Sequence, residues 1–137
     1  MKIAISYFTK SKKGNTKKLA DAVAVALGIE ARELSRDLPK KIDLLFLITA
    51  MYAANIDKEV AAFLERNKDL IGEIVNMNTS ATGKSTREAV SKAAAPLGIP
   101  VHPEEFHCKG SWLFLNKGCP TAEDLANAAA FAQKLAK

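Results

Sequence analysis

The most constraining feature of the sequence is an uninterrupted apolar stretch in its first half, Leu44–Thr49, with the sequence LLFLIT. Polar residues do not alternate with apolar ones before Thr49, as they would in a strand with one face in water. Strands covered by helices on both faces have this pattern, and they occur in parallel sheets. The run Leu44–Ile48 is far shorter than the roughly 20 residues that a membrane-spanning helix requires. The stretch therefore predicts a central strand of a layered α/β protein.

Segments with strand character and segments with helical periodicity alternate along the rest of the chain. In the first predicted helix, Leu19, Val23 and Leu27 recur four positions apart. Gly28 follows, and a glycine in the left-handed conformation commonly ends a helix. Besides Leu44–Thr49, the predicted strands are Lys2–Phe8, Ile29–Leu34, Ile71–Met77 and Val101–Phe106. The second strand in chain order, Ile29–Leu34, is weak and is expected near an edge of the sheet.

Two later helices carry start signals in the sequence. Ser85–Glu88 has the S-x-x-E spacing of a capping box, in which the serine accepts a hydrogen bond from the third residue along and the glutamate reaches back. This helix is predicted to end at Gly98, by the same device as the first. Pro120–Asp124 is predicted to begin the last helix, which should run to about Ala136.

Five strands separated by helices predict a three-layer α/β/α architecture around a doubly wound, five-stranded parallel sheet. Right-handed crossovers make 2-1-3-4-5 the natural strand order. No linker or repeat divides the sequence, so residues 1–137 are predicted to form a single domain. In such sheets, ligands bind beyond the carboxyl ends of the strands, where the winding reverses. The loops after strands 1 and 3 should therefore carry the function.

The segment after the first predicted strand has the composition of a phosphate-binding loop. Small and hydroxyl-bearing residues stand directly before a helix, whose N-terminal amides carry partial positive charge. The hydroxyls of Ser11 and Thr16 can donate further hydrogen bonds. The same composition also fits an ordinary helix start with a polar loop before it. The residues predicted to contact a phosphate are Thr9, Lys10, Ser11, Lys13, Gly14, Asn15 and Thr16.

At these positions the sequence resembles the flavodoxin family, whose phosphate loop runs S/T-x-x-G-x-T-x-x-x-A-x-x followed by an aliphatic residue. The chain departs from the family just upstream, where Thr9 replaces an aromatic residue. The order of elements fits the family over nearly the whole chain. The resemblance implies a short-chain, flavodoxin-like protein that binds FMN, with the FMN phosphate in this loop. The matching residues are Ser11, Gly14, Thr16, Ala20 and Val23.

The resemblance also assigns a role to the loop after the third strand, which covers one face of the isoalloxazine ring in flavodoxin-like proteins. Tyr52 matches the aromatic residue often found there, and its small neighbours would let the backbone approach a flat ring. Alternatively, Tyr52 is a half-buried aromatic that packs on its own domain. The predicted flavin contacts in this loop are Thr49, Ala50, Met51, Tyr52, Ala53, Ala54 and Asn55.

The loop after the fourth strand is implied to contact the pyrimidine edge of the flavin, mostly through backbone amides. Many flavodoxins carry an aromatic residue there, and this chain carries none. Trp112, beyond the fifth strand, is predicted to close that side of the flavin; simple packing is the alternative for a lone tryptophan in a loop. The predicted contacts in the strand 4 loop are Asn78, Thr79, Ser80, Ala81, Thr82 and Gly83.

The charge balance bears on the partners. Twenty basic and 15 acidic residues give a formal charge of +5, which suits an anionic ligand or an acidic partner surface. Most lysines are spread along the chain, without the basic stripe and interleaved aromatics of nucleic-acid binders. Nucleic acid and membrane are therefore not expected partners. The apolar start is too short for a signal peptide, so the sequence predicts a cytoplasmic protein.

Cys108 and Cys119 are predicted to be free thiols, because they do not form a CxxC pair and the expected compartment is reducing. A metal site is not expected, because the spacing of His102, His107 and the two cysteines matches no closed zinc pattern.

These features predict an electron carrier that exchanges electrons with redox proteins, rather than an enzyme with its own substrate. The predicted loops contain no convincing general acid, nucleophile or set of metal ligands. Two alternatives stay open at this point. One is a flavin-dependent reductase that passes electrons from a nicotinamide donor to a quinone or similar acceptor. The other is a flavin-free domain of the same fold that serves as an interaction module.

Overall fold

A computed structural model describes residues 1–9, 14–51, 55–110 and 118–137. Within these ranges, five parallel strands form one sheet in the order β2-β1-β3-β4-β5. This confirms the predicted fold class and strand order. The strands are β1 Ile3–Tyr7, β2 Ala31–Glu33, β3 Ile42–Ala50, β4 Ile71–Ser80 and β5 Phe106–Lys109.

Helices cover both faces of the sheet, and a separate apolar cluster fills each interface. On one face α1 and α4 pack against the sheet, and on the other face α2 and α3 do so. Short 3₁₀ turns extend the ends of α2 and α3. No helix in the described ranges is both long enough and apolar enough to cross a membrane. The helices are α1 Asn15–Leu27, α2 Lys58–Asn67, α3 Arg87–Ala94 and α4 Ala122–Leu135.

Strand β3 explains the apolar run that dominates the sequence. Successive side chains of a strand point to opposite faces. Phe46 and Ile48 therefore belong to the cluster beneath α1 and α4, whereas Leu45 and Leu47 belong to the cluster beneath α2 and α3. All four side chains are fully buried. In the part of β3 that is covered on both faces, Leu44–Ile48, every side chain is therefore buried and apolar, and the polar residues Asp43 and Thr49 flank it.

The helix ends follow local chemistry in most places. Gly28 ends α1 in the left-handed conformation, with φ 67°, and its N–H donates to Ala24 O at 2.9 Å. At the start of α4, Thr121 Oγ1 accepts from Asp124 N at 3.0 Å, and Asp124 Oδ2 accepts from Thr121 N at 2.9 Å. The predicted exit from α1 and the predicted start of α4 are both confirmed.

The capping box predicted at Ser85 is wrong. Helix α3 begins at Arg87 with Thr86 as its N-cap, and the Thr86 side chain makes no capping bond. The Ser85 hydroxyl is hydrogen-bonded to Glu105 from a distant segment. Glu88 forms an ion pair with Lys92 at 3.2 Å. The local contacts therefore differ from those of a capping box: Ser85 Oγ accepts from Arg87 N at 2.9 Å, two residues along, and Glu88 pairs with Lys92 instead of reaching back.

The predicted limits of the fifth strand are also wrong. Val101 forms only an isolated bridge with Ile74, and the continuous strand lies further along at Phe106–Lys109. Pro103 lacks the N–H that a strand ladder needs. Instead, the chain bends there, and Glu104 N donates to His102 Nδ1 at 3.0 Å. This shift carries the end of β5 forward to Lys109, directly before Gly110.

Candidate functional site

The predicted contact residues lie at or beyond the carboxyl ends of β1, β3 and β4. The sequence placed Thr49, Ala50 and residues 78–80 in loops, whereas they are the last residues of β3 and β4. The structure describes Thr9, residues 14–16, residues 49–51, Asn55 and residues 78–83. The remaining predicted contacts lie outside the described residues. These contacts are Lys10, Ser11, Lys13, Tyr52, Ala53, Ala54 and Trp112.

The N-terminus of α1 lacks the acidic compensation found on other helices. Gly14 is its N-cap and supplies no side-chain cap, and the first turn contains no acidic residue. By contrast, α2 begins with the capping Asp57 and with Glu59 in its first turn. The positive end of the α1 dipole is therefore not offset by a side-chain charge of its own, which favours an anion at that end.

Thr16, in the first turn of α1, contacts strand β4. Its hydroxyl oxygen lies 3.2 Å from the hydroxyl oxygen of Thr79, and the two residues are 2% and 3% exposed. The bond joins residues 63 positions apart in sequence. Two residues that the sequence assigned to separate loops of the site are thus in direct contact.

Gly110, directly after β5, lies beside the contact between Thr16 and Thr79. Its N–H donates to Ser80 O at 3.0 Å. A Cβ atom at Gly110 would lie 3.0 Å from Asn15 Nδ2 and 3.3 Å from Thr79 Cβ. The close approach therefore requires glycine unless these neighbours shift. Sequence reasoning missed Gly110, because the fifth strand was predicted to end at Phe106.

A main-chain hydrogen bond joins the residue after β3 to β4. Met51 N donates to Thr79 O at 3.1 Å, which continues the pairing of Ala50 with Thr79. Thr49 is buried, and its hydroxyl finds no hydrogen-bond partner among the described residues. Asn55 lies beyond this loop and accepts a hydrogen bond from Ile56 N at 2.8 Å. The carboxyl end of β3 therefore carries one buried hydroxyl, that of Thr49, with no hydrogen-bond partner among the described residues.

The loop after β4 is held by side chains from the strand itself. Asn78 Nδ2 donates to Lys84 O at 2.9 Å, and Asn78 Oδ1 accepts from Thr86 N at 3.1 Å. Ser80 Oγ also donates to Lys84 O at 2.9 Å. Because these side chains hold the loop, they are engaged within the protein.

Comparison with solved structures places this architecture among known folds. A flavodoxin from the domain Archaea matches with a TM-score of 0.74 at 14% identity, covering 99% of this chain and 96% of the other. A flavodoxin from Streptococcus pneumonia TIGR4 matches with a TM-score of 0.65 at 20% identity, covering 98% of this chain and 97% of the other. The chain has the flavodoxin-like fold.

The same flavodoxin-like fold also occurs in an enzyme. An NAD(P)H:quinone oxidoreductase from Methanothermobacter marburgensis matches with a TM-score of 0.66 at 12% identity, covering 98% of this chain and 96% of the other. No protein-family model and no curated protein matches the sequence. The comparisons therefore establish the fold over the full length of the chain.

The described residues fit a phosphorylated flavin. The N-terminus of α1 offers an anion the positive end of a helix dipole, beside the buried hydroxyl of Thr16. The Thr49 hydroxyl, which has no hydrogen-bond partner within the described ranges, lies at the end of β3. Gly110 lets the fifth strand close against Asn15 without a side chain between them. These features match a site with a phosphate beside α1 and a polar group of the ligand near β3.

Two exposed lysines border this edge of the sheet. Lys84 belongs to the loop after β4, and Lys109 is the last residue of β5. The Lys109 side chain lies over Gly83, whose Cβ position would be 3.4 Å from Lys109 Cγ. Neither lysine forms an ion pair with the described acidic residues. The part of the edge beside β4 and β5, here called the basic edge, is therefore positively charged, whereas the exposed Glu33 ends β2 on the far side of the sheet.

The two cysteines of the flavodoxin-like domain are free thiols in different surroundings. Cys108 lies in β5 and is 8% exposed, whereas Cys119 is half-buried before α4. Burial, followed by the charges of Asp124 and Cys119, raises the pKa of the Cys108 thiol from 9.0 to about 12. The described residues contain no cluster of three or more potential metal ligands.

Iodoacetamide at pH 8 is expected to alkylate Cys119 at least about tenfold faster than Cys108, because the thiolate is the reactive form. With a pKa near 12, only about one Cys108 thiol in ten thousand is ionised at that pH. Mass spectrometry of peptides from timed samples measures both rates. In denaturant, the two cysteines should react at similar rates. Equal rates in the folded protein would contradict the burial and the raised pKa assigned to Cys108.

Proposed function

We propose that this protein binds one FMN at the carboxyl ends of its strands and carries electrons between redox proteins. The observation that carries the proposal is the convergence of Thr16, Thr79 and Gly110 at the uncompensated N-terminus of α1. This convergence occurs where ligands bind in open α/β sheets. The full-length structural similarity to flavodoxins supports FMN over other phosphorylated ligands.

Each part of the edge has a separate task in this proposal. The amides at the start of α1 and the Thr16 hydroxyl bind the phosphate, and the ends of β3 and β4 contact the flavin ring. Bound FMN supplies the redox chemistry, because its ring accepts and releases electrons. The protein's own contribution is to orient the flavin and to exclude water from the phosphate.

The absorbance spectrum of freshly purified protein tests this proposal. We expect the visible bands of a flavin, and chromatography of the material released by denaturation should identify FMN rather than FAD or riboflavin. If the protein is isolated without colour, added FMN should restore these bands at one per chain. A protein that is colourless and stays so with added FMN would instead be the flavin-free interaction module.

A flavin-dependent quinone reductase is the second candidate, because the structural match to the NAD(P)H:quinone oxidoreductase is as good as some of those to flavodoxins. An NAD(P)H oxidation assay with a soluble quinone separates the two functions. An electron carrier should show no turnover above the rate of free FMN at the same concentration. Quinone-dependent oxidation well above that rate would favour the reductase.

The basic edge supports a partner with an acidic surface. Lys84 and Lys109 border the site, and the chain as a whole has a formal charge of +5. Charges of one sign around a site raise the encounter rate of oppositely charged molecules, and salt screens the effect over about 10 Å. Electron transfer with an acidic partner should therefore slow as ionic strength rises.

Reversing both lysines tests the basic edge directly. For the FMN-loaded protein, we expect Lys84→Glu/Lys109→Glu to lower the rate of flavin bleaching by anionic dithionite roughly three- to tenfold at low ionic strength. The control Lys40→Glu/Lys41→Glu makes the same charge change just before β3, at the opposite edge of the sheet. Stopped-flow absorbance measures the rates. Equal effects of the two double variants would contradict local steering by this edge.

A further inference from the structure

Thr79 contacts three segments that surround the proposed FMN site. Its hydroxyl lies 3.2 Å from the Thr16 hydroxyl at the start of α1. Its carbonyl oxygen accepts from Met51 N at 3.1 Å, after β3. Its Cβ lies 3.3 Å from the position that a Cβ of Gly110 would occupy, after β5. Thr79 is 3% exposed, so its side chain acts through neighbouring protein groups rather than through water.

The hydroxyl pair can be arranged in two ways, since either oxygen can be the donor. A hydroxyl has one proton to donate and two lone pairs that accept. If Thr16 donates to Thr79, the Thr16 proton is occupied. If Thr79 donates to Thr16, the Thr16 proton is available to another acceptor.

A phosphate at the N-terminus of α1 distinguishes these two arrangements. Its ionised oxygens accept hydrogen bonds, and bonds to charged groups are the stronger ones. The phosphate therefore favours the arrangement in which Thr16 donates to it and accepts from Thr79. Both hydroxyls are shielded from water, and a low-dielectric environment strengthens such a chain of hydrogen bonds.

We propose that Thr79 is a positioning residue for phosphate recognition, because its hydroxyl donates to Thr16 Oγ1 and so directs the Thr16 proton toward the phosphate of the bound flavin. This inference rests on the proposed function, and it adds a residue of β4 to the recognition of a group bound at α1. Its consequence is selective. Loss of the Thr79 hydroxyl should affect the binding of FMN, which has a phosphate, far more than the binding of riboflavin, which has none.

The test compares both flavins on variants of Thr79 by quenching of flavin fluorescence. Thr79→Val removes the hydroxyl with little change in shape, and we expect it to weaken FMN binding about tenfold. Riboflavin binding should change by less than about twofold. Thr79→Ser keeps a hydroxyl and should retain most of the wild-type FMN affinity. Thr79→Ala is a second hydroxyl-free variant for use if the valine does not fold.

A double-mutant cycle with Thr16→Val adds a readout specific to the pair. Once Thr16→Val has removed the receiving hydroxyl, Thr79→Val should have little further effect on FMN affinity. Urea denaturation of each flavin-free variant separates these effects from a general loss of stability.

The outcomes separate this inference from the proposed function. If wild-type protein binds neither flavin, both proposals are overturned. If wild-type protein binds FMN but Thr79→Val weakens FMN and riboflavin equally, or Thr79→Ser behaves like Thr79→Val, only the role of Thr79 is overturned. Additive losses in the double-mutant cycle would also overturn it.

Discussion

Phe46→Ala is expected to lower the free energy of unfolding by about 3–5 kcal/mol, because it leaves a cavity between the sheet and the helices α1 and α4. Phe46 lies in the central strand β3, is fully buried and belongs to the cluster beneath α1 and α4. Stabilities of whole domains are about 5–15 kcal/mol, so the variant should lose a large share of the total. Urea denaturation followed by circular dichroism measures the change, with flavin-free protein, since bound ligand adds stability.

The matched control is Val25→Ala on α1, where the side chain is 84% exposed. Surface substitutions of this kind usually change stability by no more than about 0.5 kcal/mol. A loss below about 1 kcal/mol for Phe46→Ala would contradict the burial of Phe46 in the core.

Asn78→Ala is expected to lower the free energy of unfolding by about 1–3 kcal/mol. The substitution leaves the N–H of buried Thr86 without its partner, and it removes one of the two hydrogen bonds to the Lys84 carbonyl, to which Ser80 Oγ still donates. A buried polar group that loses its partner costs about 1–3 kcal/mol. Since the loop after β4 borders the proposed flavin, FMN binding should also weaken in this variant.

Asn127→Ala is the control for this prediction, because Asn127 is an exposed asparagine on α4. It should change stability by less than about 0.5 kcal/mol and leave FMN affinity unchanged. If Asn78→Ala and Asn127→Ala gave equal unfolding midpoints and slopes, the hydrogen bonds assigned to Asn78 would not stabilise the fold.

Elements whose determinants are local could be predicted from the sequence. The apolar run of β3 reflects burial on both faces, and it consists of consecutive apolar residues that can be read directly from the sequence. Gly28 and the Thr121–Asp124 pair likewise act within a few residues of themselves. For these elements, the structure confirms what the sequence indicated.

Elements whose partners lie far along the chain were predicted less well. Ser85 has the right spacing for a capping box, but its hydroxyl accepts from Arg87 N and donates to Glu105, twenty residues away. The fifth strand was predicted at Val101–Phe106, whereas its pairing with β4 begins only at Phe106. A short sequence window contains neither of these longer-range partners.

The same distinction applies to the candidate site. The helix start at Gly14–Thr16 was predicted from residue types in one short segment. The bond between Thr16 and Thr79 joins two such segments, so the pattern could name both residues without showing that they touch. Gly110 is favoured only because Asn15 Nδ2 and Thr79 Cβ would lie 3.0 and 3.3 Å from a Cβ atom there, closer than ordinary van der Waals contact.

Titration of FMN into flavin-free protein is the most direct test of the claim that this edge of the sheet binds the phosphate of a flavin. The account predicts saturable quenching of flavin fluorescence at one FMN per chain. Riboflavin should bind at least about tenfold more weakly, because it lacks the group that α1 and Thr16 recognise. Fluorescence that stays unquenched with a stoichiometric excess of folded protein, or equal affinity for the two flavins, would contradict the account.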